Sequence, residues 1–136
     1  MSDKIYGAQT VLVVESNEDS RFLLRCLFEM KGYGVLEAGN GDEAVSLALQ
    51  EHPDLILLEL KLPLRDCFSA ARQIRQTIEL RNVPIVVISA FPSSQHRAVA
   101  IAAGCNEYMT KPIEFDELEA LVTQLLGTEY SNLVAA

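Results

Sequence analysis

The chain has no tryptophan, only three cysteines and only two histidines among its 136 residues. Cys26, Cys67 and Cys105 are odd in number, far apart and outside the spacing of metal ligands, which excludes a disulfide framework or a cysteine-rich zinc site as the basis of the fold. Free thiols of this kind are typical of a reducing cytoplasm. No apolar run approaches the ~20 residues of a membrane span, and no N-terminal segment resembles a signal peptide. The sequence therefore predicts a cytoplasmic protein without a membrane segment.

Positive charge is also scarce, with 11 Lys and Arg against 19 Asp and Glu and a net charge of -8. A phosphate backbone would be repelled by such a chain, so direct binding to nucleic acid is not expected. The hydrophobic share of 49% and the charged share of 22% are ordinary for a compact domain. We expect one domain over residues 1–127, followed by a short tail over residues 128–136.

Strand-like and helix-like patterns alternate five times along the chain. The expected strands are 9–14, 35–38, a run ending at Glu59, 83–89 and 107–110. The expected helices are 19–31, 42–50, 69–78, 93–103 and 114–126, with a loop at 62–64. Such alternation with short connections predicts an α/β fold, in which helices cover both faces of a parallel sheet. In the first helix, apolar residues at helical spacing predict a stripe that faces the core: Phe22, Leu23, Cys26, Leu27 and Met30.

The third strand carries one carboxylate at its C-terminal end, Glu59. Six of the ten residues from Asp54 to Pro63 are Leu or Ile, which is typical of a strand buried on both faces. In an open parallel sheet, ligands bind beyond the carboxyl ends of the strands, so an acid there is a candidate for chemistry. Polar or small residues follow the other strands at the same edge: Glu15, Ser16, Lys61, Ser89, Ala90 and Lys111.

Five sequence words in a fixed order carry a family resemblance. They are 11–21 (VLVVESNEDSR), 36–44 (LEAGNGDEA), 53–60 (PDLILLEL), 86–90 (VVISA) and 108–113 (YMTKPI). Over roughly residues 9–126 the chain resembles the CheY-like receiver domain of two-component response regulators. The resemblance implies a flavodoxin-like, doubly wound (βα)5 sheet with strand order 2-1-3-4-5.

The resemblance also implies a phosphoacceptor and a metal site. Receivers accept a phosphoryl group from a histidine kinase onto an Asp, whose position Glu59 occupies here. Mg²⁺ assists the transfer, held by that acid, by an acidic pair after the first strand and by a backbone carbonyl two residues past the acceptor. Glu15 and Ser16 match the acidic pair, and Lys61 matches the residue that lends its carbonyl.

Further positions match the groups that bind the phosphoryl oxygens in receivers. Ser89 corresponds to the hydroxyl on the fourth strand, Ala90 to the small residue after it, and Lys111 to the lysine on the fifth strand. Tyr108 corresponds to the aromatic switch residue, whose inward or outward position is coupled to Ser89. If the site has lost phosphorylation, we expect this switch to be frozen.

Two departures from the family pattern argue against phosphotransfer. Glu59 extends its carboxylate by one carbon–carbon bond, about 1.5 Å, and a misplacement of about 1 Å can lose on the order of a hundredfold in rate. Ser16 replaces an anionic metal ligand by a hydroxyl. Lys61 could in addition place its ammonium in the site and substitute for the metal charge. Three interpretations of Glu59 stay open: an inert partner of Lys111, a constitutive stand-in for aspartyl phosphate, and a poor acceptor.

The sequence therefore predicts a stand-alone receiver of two-component phosphorelay signalling, not an enzyme, that acts through protein contacts as a pseudo-receiver without a cofactor. The expected partner is a histidine kinase, another regulator or an output protein. A homodimer would use the face of the fourth helix, fifth strand and last helix. One alternative is a phosphorylatable response regulator that requires Mg²⁺. Another is a site repurposed for a small ligand, or for redox sensing at Cys67.

Overall fold

Five strands alternate with five helices along residues 9–63, 66–92 and 94–127, which are the residues that the computed structural model describes. The strands are Thr10–Val14 (β1), Gly34–Ala38 (β2), Leu55–Glu59 (β3), Ile85–Ser89 (β4) and Glu107–Thr110 (β5). The helices are Glu18–Met30 (α1), Gly41–Glu51 (α2), Cys67–Gln76 (α3), Ser94–Ala102 (α4) and Phe115–Leu126 (α5), with a 3-10 turn at Ile78–Leu80. None of the described helices is long and apolar enough to cross a membrane.

The strands form one parallel sheet in the order β2-β1-β3-β4-β5, which confirms the predicted doubly wound α/β fold. β1 lies between β2 and β3, and Val14 at its end is in register with Ala38 and Leu58. Because all five strands run in the same direction, their carboxyl ends share one edge of the sheet. The side chains that follow those ends therefore converge.

Apolar side chains of alternate strand positions pack against helices on the two faces of the sheet. On one face, Leu12 and Ile56 pack in a cluster with Ala70 and Ile74 of α3. On the other face, Val11 and Leu57 pack in a cluster with Phe28 of α1 and with Leu118 and Val122 of α5. The strands are thus buried on both sides, as the Leu-rich and Ile-rich run before Glu59 predicted.

The prediction of which side of α1 faces the core was wrong. Phe22, Leu23 and Met30 are 60%, 58% and 80% exposed, and Cys26 and Leu27 are only partly buried. The sheet instead receives Phe28, which is fully buried, and Leu24 one turn earlier. Phe28 meets Tyr33 and Phe115 edge-on, with ring centroids 5.6 and 5.3 Å away. At 3.6 residues per turn the predicted stripe lies roughly opposite this pair, so apolar periodicity alone selected the outer face.

Most element boundaries lie within two residues of those predicted. α3 begins earlier than expected because the Asp66 carboxylate accepts a hydrogen bond of 2.9 Å from the Ser69 amide and caps the helix at Cys67. β4 begins later, at Ile85, after Pro84, which has no amide hydrogen for the sheet. Residue 64 of the predicted loop, residue 93 of the predicted fourth helix and the predicted tail 128–136 lie outside the described residues.

Candidate functional site at the strand ends

Three charged side chains, at or just after the ends of β1, β3 and β5, meet at the carboxyl edge of the sheet. The Lys111 Nζ lies 3.3 Å from Glu15 Oε1 and 3.5 Å from Glu59 Oε2. The Glu15 side chain is 6% exposed and that of Glu59 is 15% exposed, whereas that of Lys111 is 34% exposed. Both carboxyl groups are therefore shielded from water, and one ammonium lies between them.

Ser16 binds Glu59 as a hydrogen-bond donor, through both its main chain and its side chain. Its amide donates to Glu59 Oε1 at 2.9 Å, and its hydroxyl donates to the same oxygen at 2.8 Å. The next amide, of Asn17, donates to Glu15 Oε2 at 3.0 Å. The segment after β1 thus directs two successive amides at the two carboxyl groups. An acid in place of Ser16 would present oxygens with no hydrogen to donate to Glu59.

The two carboxyl groups interact directly, and their pKa values move apart. Burial raises the pKa of Glu15, and the hydrogen bond and charge of Glu59 add to the rise, while the Asn17 amide opposes it. Burial also acts to raise the pKa of Glu59. Hydrogen bonds from the Ser16 amide, the Glu15 carboxyl and the Ser16 hydroxyl, with the charge of Lys111, outweigh burial, and the pKa of Glu59 lies below its usual value. Glu15 is therefore the member of the pair that takes up a proton first as the pH falls.

Arg21 is a residue of this site that sequence reasoning missed. Its Nη1 donates to the main-chain carbonyl of Glu15 at 2.8 Å, and its Nε donates to Glu37 Oε1 at 3.3 Å. Arg21 thereby connects α1, the end of β1 and β2, and it fixes the backbone from which Glu15 projects. No sequence signal marks this role, because the acceptor is a main-chain oxygen six residues earlier.

Ser89 and Tyr108 are both turned into the protein, and Phe91 connects them. Ser89 is 1% exposed, and its Oγ accepts a hydrogen bond of 2.9 Å from the Phe91 amide. Tyr108 is 7% exposed, and its hydroxyl donates to the Phe91 carbonyl at 2.6 Å. Among the described residues, no hydrogen bond joins Glu59 to Ser89. The tyrosine is therefore in its inward position while Glu59 is engaged elsewhere.

Lys61 lies on the rim of the site, and its ammonium does not lie at the carboxylates. The Nζ is 4.9 Å from the centroid of the Phe91 ring, and within the described part of the chain it forms no ion pair with Glu15 or Glu59. A cavity of about 270 Å³ opens beside Lys61 and Phe91. Its lining residues come from the ends of β3, β4 and β5: Glu59, Leu60, Lys61, Ile88, Ser89, Ala90, Phe91 and Lys111. The Lys61 ammonium therefore does not lie where it could substitute for a metal ion. The ammonium between the two carboxyl groups is that of Lys111.

The cysteines lie away from this chemistry. Cys67 is fully buried at the start of α3, and desolvation raises the pKa of its thiol far above the usual value. Cys105 is 4% exposed, and burial raises the pKa of its thiol to about 11. Neither thiol is in the accessible, electropositive setting that makes cysteine reactive.

The fold and the cluster at its carboxyl edge define a class of signalling domain, and comparison with known proteins identifies the family. Residues 11–123 match the model of the response regulator receiver domain. The chain belongs to this family, and it is a receiver of the two-component signalling type.

Individual relatives agree with this assignment over nearly the whole chain. The chain is 32% identical over 119 residues to the polar-differentiation response regulator DivK of Brucella ovis and to that of Brucella anthropi, covering 88% of this chain and 97% of each relative. Its structure is similar to the receiver domain of a sensor histidine kinase from Pseudomonas aeruginosa PAO1, which has a magnesium ion coordinated in its active-site cleft. That similarity has a TM-score of 0.83 and 31% identity, and covers 90% of this chain and all of that one. A putative response regulator from Chloroflexus aurantiacus gives a TM-score of 0.83 at 27% identity, covering 88% and 98%.

Proposed function

We propose that this chain is a pseudo-receiver, which takes part in two-component signalling through protein contacts and without conventional phosphorylation of an aspartate. The observation that carries the proposal is the environment of Glu59. Its Oε1 accepts two hydrogen bonds from Ser16, and its Oε2 lies beside Lys111. A nucleophilic carboxylate attacks through a lone pair directed at the phosphorus atom; here Ser16 occupies both lone pairs of Oε1, and Oε2 faces Lys111 at 3.5 Å.

The residues present do not fit Mg²⁺ in this arrangement. Within the described ranges, no group of three or more His, Cys, Asp or Glu side chains could hold a metal ion. The Ser16 hydroxyl, at a position where receivers carry an acid, directs its hydrogen toward Glu59, and the two Glu15 oxygens accept from the Asn17 amide and from Lys111. A magnesium ion requires several oxygens in near-octahedral geometry, with lone pairs free to coordinate it. Binding the ion would require breaking the Ser16–Glu59 contacts and displacing the Lys111 ammonium from between the two carboxyl groups.

Two interpretations of Glu59 do not involve its phosphorylation. The geometry favours the inert partner of Lys111 over the constitutive stand-in for aspartyl phosphate. A stand-in would have to contact the Ser89 hydroxyl, which in receivers binds the phosphoryl oxygens. The Ser89 hydroxyl oxygen instead accepts from the Phe91 amide. Lys111 lies within ion-pair distance of both Glu15 and Glu59, so its ammonium is already engaged by carboxyl groups of the protein.

The competing function is a phosphorylatable receiver that requires Mg²⁺, with Glu59 as a slow acceptor. It is favoured by the relatives, whose similarity covers the whole domain, and by the positions of Ser89, Ala90 and Lys111 around one cavity. For the redox alternative, the burial of Cys67 is unfavourable, because an oxidant would have no access to its sulfur.

Protein contact is supported by the apolar side chains that α1 leaves exposed. Phe22, Leu23 and Met30 are exposed on α1, and Leu23 also lines a cavity of about 530 Å³ together with Leu27 and Ile113. Large exposed apolar side chains grouped on one helix are typical of a surface that binds another protein. The face of α4, β5 and α5 remains the proposed surface for a homodimer, with Val99 and Ile101 of α4 half-exposed.

Incubation with acetyl phosphate and Mg²⁺ tests this proposal, with the product detected by intact-protein mass spectrometry. The wild-type chain is expected to stay unmodified, because Glu59 is engaged and no metal site is formed. The double variant Ser16→Asp, Glu59→Asp serves as the matched positive control, because it returns an acid to both positions. Modification of the wild-type chain at Glu59, to an extent comparable with the double variant, would overturn the proposal in favour of the phosphorylatable receiver.

A further inference from the structure

Two side chains outside the carboxylate cluster, Lys61 and Phe91, meet across the mouth of the site. Lys61 follows β3 and Phe91 follows β4, so the contact joins the ends of two neighbouring strands. The ammonium lies 4.9 Å from the ring centroid, within the ~6 Å over which a cation is attracted to an aromatic face. Within the described residues Lys61 has no ion-pair partner, so its charge is directed at the ring without competition from a carboxylate.

The main chain of Phe91 carries the two hydrogen bonds that define the state of the switch residues. Its amide donates to Ser89 Oγ and its carbonyl accepts from the Tyr108 hydroxyl. Because both bonds use the same residue, a displacement of Phe91 would release the Ser89 hydroxyl and the Tyr108 hydroxyl together. The inward position of Tyr108 thus depends on where Phe91 is held.

The side chain of Phe91 is positioned by contacts with residues of other segments. Its ring is 39% exposed, so burial alone fixes it only partly. Lys61 contacts it from the segment after β3, and the His96 ring of α4 lies 5.9 Å from it, centroid to centroid. The ring is therefore positioned between two elements, and the backbone hydrogen bonds of Phe91 follow from that position.

We propose that Lys61 and Phe91 are positioning residues, which hold the segment after β4 so that Tyr108 stays inward without a phosphoryl group on Glu59. The inference rests on the proposed function, because it names what replaces phosphorylation in fixing the signalling surface. Lys61 thereby acts on Tyr108 through Phe91 and touches neither the acceptor position nor a phosphoryl group.

Amide hydrogen exchange and tyrosine NMR of the intact chain test this inference, with the Tyr108 ring signals assigned by Tyr108→Phe. Lys61→Met keeps most of the aliphatic stem and removes the charge, and Phe91→Leu keeps an apolar side chain and removes the aromatic face. Each is expected to speed exchange of the amide at position 91 about two- to fivefold after correction for intrinsic rates, and Lys61→Met is expected to shift the Tyr108 ring signals. The double variant should exchange no faster than the faster single variant, because both changes remove one contact.

Lys31→Met is the matched control, since Lys31 is an exposed lysine that pairs with Glu119 far from Phe91. It should leave the amide at position 91 and the Tyr108 ring unchanged, and urea unfolding should show all variants to be folded. If Lys61→Met gives the same exchange and ring signals as Lys31→Met, the inference is overturned. That result would not affect the proposed function, which is tested separately by phosphoryl transfer from acetyl phosphate to the wild-type chain. Phosphorylation of the wild-type chain would overturn the proposed function, and with it the claim that this contact replaces phosphorylation. Faster exchange in Lys61→Met would then still support the action of Lys61 on Tyr108 through Phe91.

Discussion

At the scale of single residues, two substitutions relative to the receiver pattern act together. Ser16 supplies two hydrogen-bond donors where the family supplies an acid, and Glu59 supplies a carboxylate long enough to accept them. Lys111 completes the set at 3.5 Å from Glu59. Either substitution alone would leave a group without its partner: an aspartate is shorter, and an acid at position 16 would repel Glu59. The pair is consistent with a site that satisfies its own polar groups.

The opposite pKa shifts of Glu15 and Glu59 give a stability test that depends on pH. Glu15 has a raised pKa in the folded protein, so the stability it contributes is complete below the usual value of 4.5 and is lost as pH rises through the folded pKa. In Glu15→Gln the side chain cannot ionise, so the variant does not lose stability in this way as the pH rises. The free energy of unfolding of Glu15→Gln, measured by urea at pH 4, 5.5 and 7, should therefore rise relative to wild type as the pH increases.

Glu59→Gln is the control of opposite sign. The pKa of Glu59 is lowered in the folded protein, so its stabilising contribution is present above the usual value of 4.5 and is lost as pH falls through the folded pKa. Glu59→Gln should accordingly be least stable relative to wild type near pH 7 and approach it near pH 4. Parallel pH profiles for the two variants would contradict the raised pKa of Glu15 and the lowered pKa of Glu59.

At the scale of elements, α1 shows where a sequence pattern is ambiguous. The helix carries apolar residues on two sides, and the larger set, which includes Phe22, Leu23 and Met30, is the exposed one. Periodicity could place the helix but could not decide which side faces the sheet. Phe28 decides it through its aromatic contacts with Tyr33 and Phe115, which are close only in the folded chain.

Truncation of one residue from each side of α1 tests this orientation. Phe28→Ala should lower the free energy of unfolding by about 3–5 kcal/mol, because it empties a fully buried site among aromatic rings. Met30→Ala, two residues later and 80% exposed, should change it by less than about 0.5 kcal/mol. Both values come from urea unfolding monitored by circular dichroism. Similar losses in the two variants would mean that α1 is turned otherwise.

The sheet and most of the carboxyl-edge site could be predicted from sequence because strand ends in a parallel sheet have a fixed common location. That rule places Glu15, Glu59, Ser89 and Lys111 together from the sequence alone. It could not give the contacts of Arg21 or Phe91, since these depend on main-chain oxygens and on loop conformation. It also left the Lys61 ammonium free to point inward, whereas the Phe91 ring holds it at the rim.

At the scale of the whole molecule, the described residues present one parallel sheet with the cluster of Glu15, Glu59 and Lys111 at one edge and apolar side chains exposed on α1. A receiver whose site neither binds metal nor accepts a phosphoryl group has one resting conformation to offer its partners. Under the proposed function, its output would be controlled by the concentrations of the chain and its partner, since a ligand with no differential affinity shifts no equilibrium.

The most direct test of the central claim is an amide NMR titration of the isolated chain with Mg²⁺ and then with beryllofluoride, which imitates an acyl phosphate. The double variant Ser16→Asp, Glu59→Asp, with an acid restored at both positions, is the positive control and should show shifts around position 59, Ser89 and Tyr108. The wild-type spectrum is expected to stay unchanged at millimolar Mg²⁺, with or without beryllofluoride. Shifts spreading in the wild type from Glu59 to Ser89 and Tyr108 would show a live acceptor pocket and contradict the account.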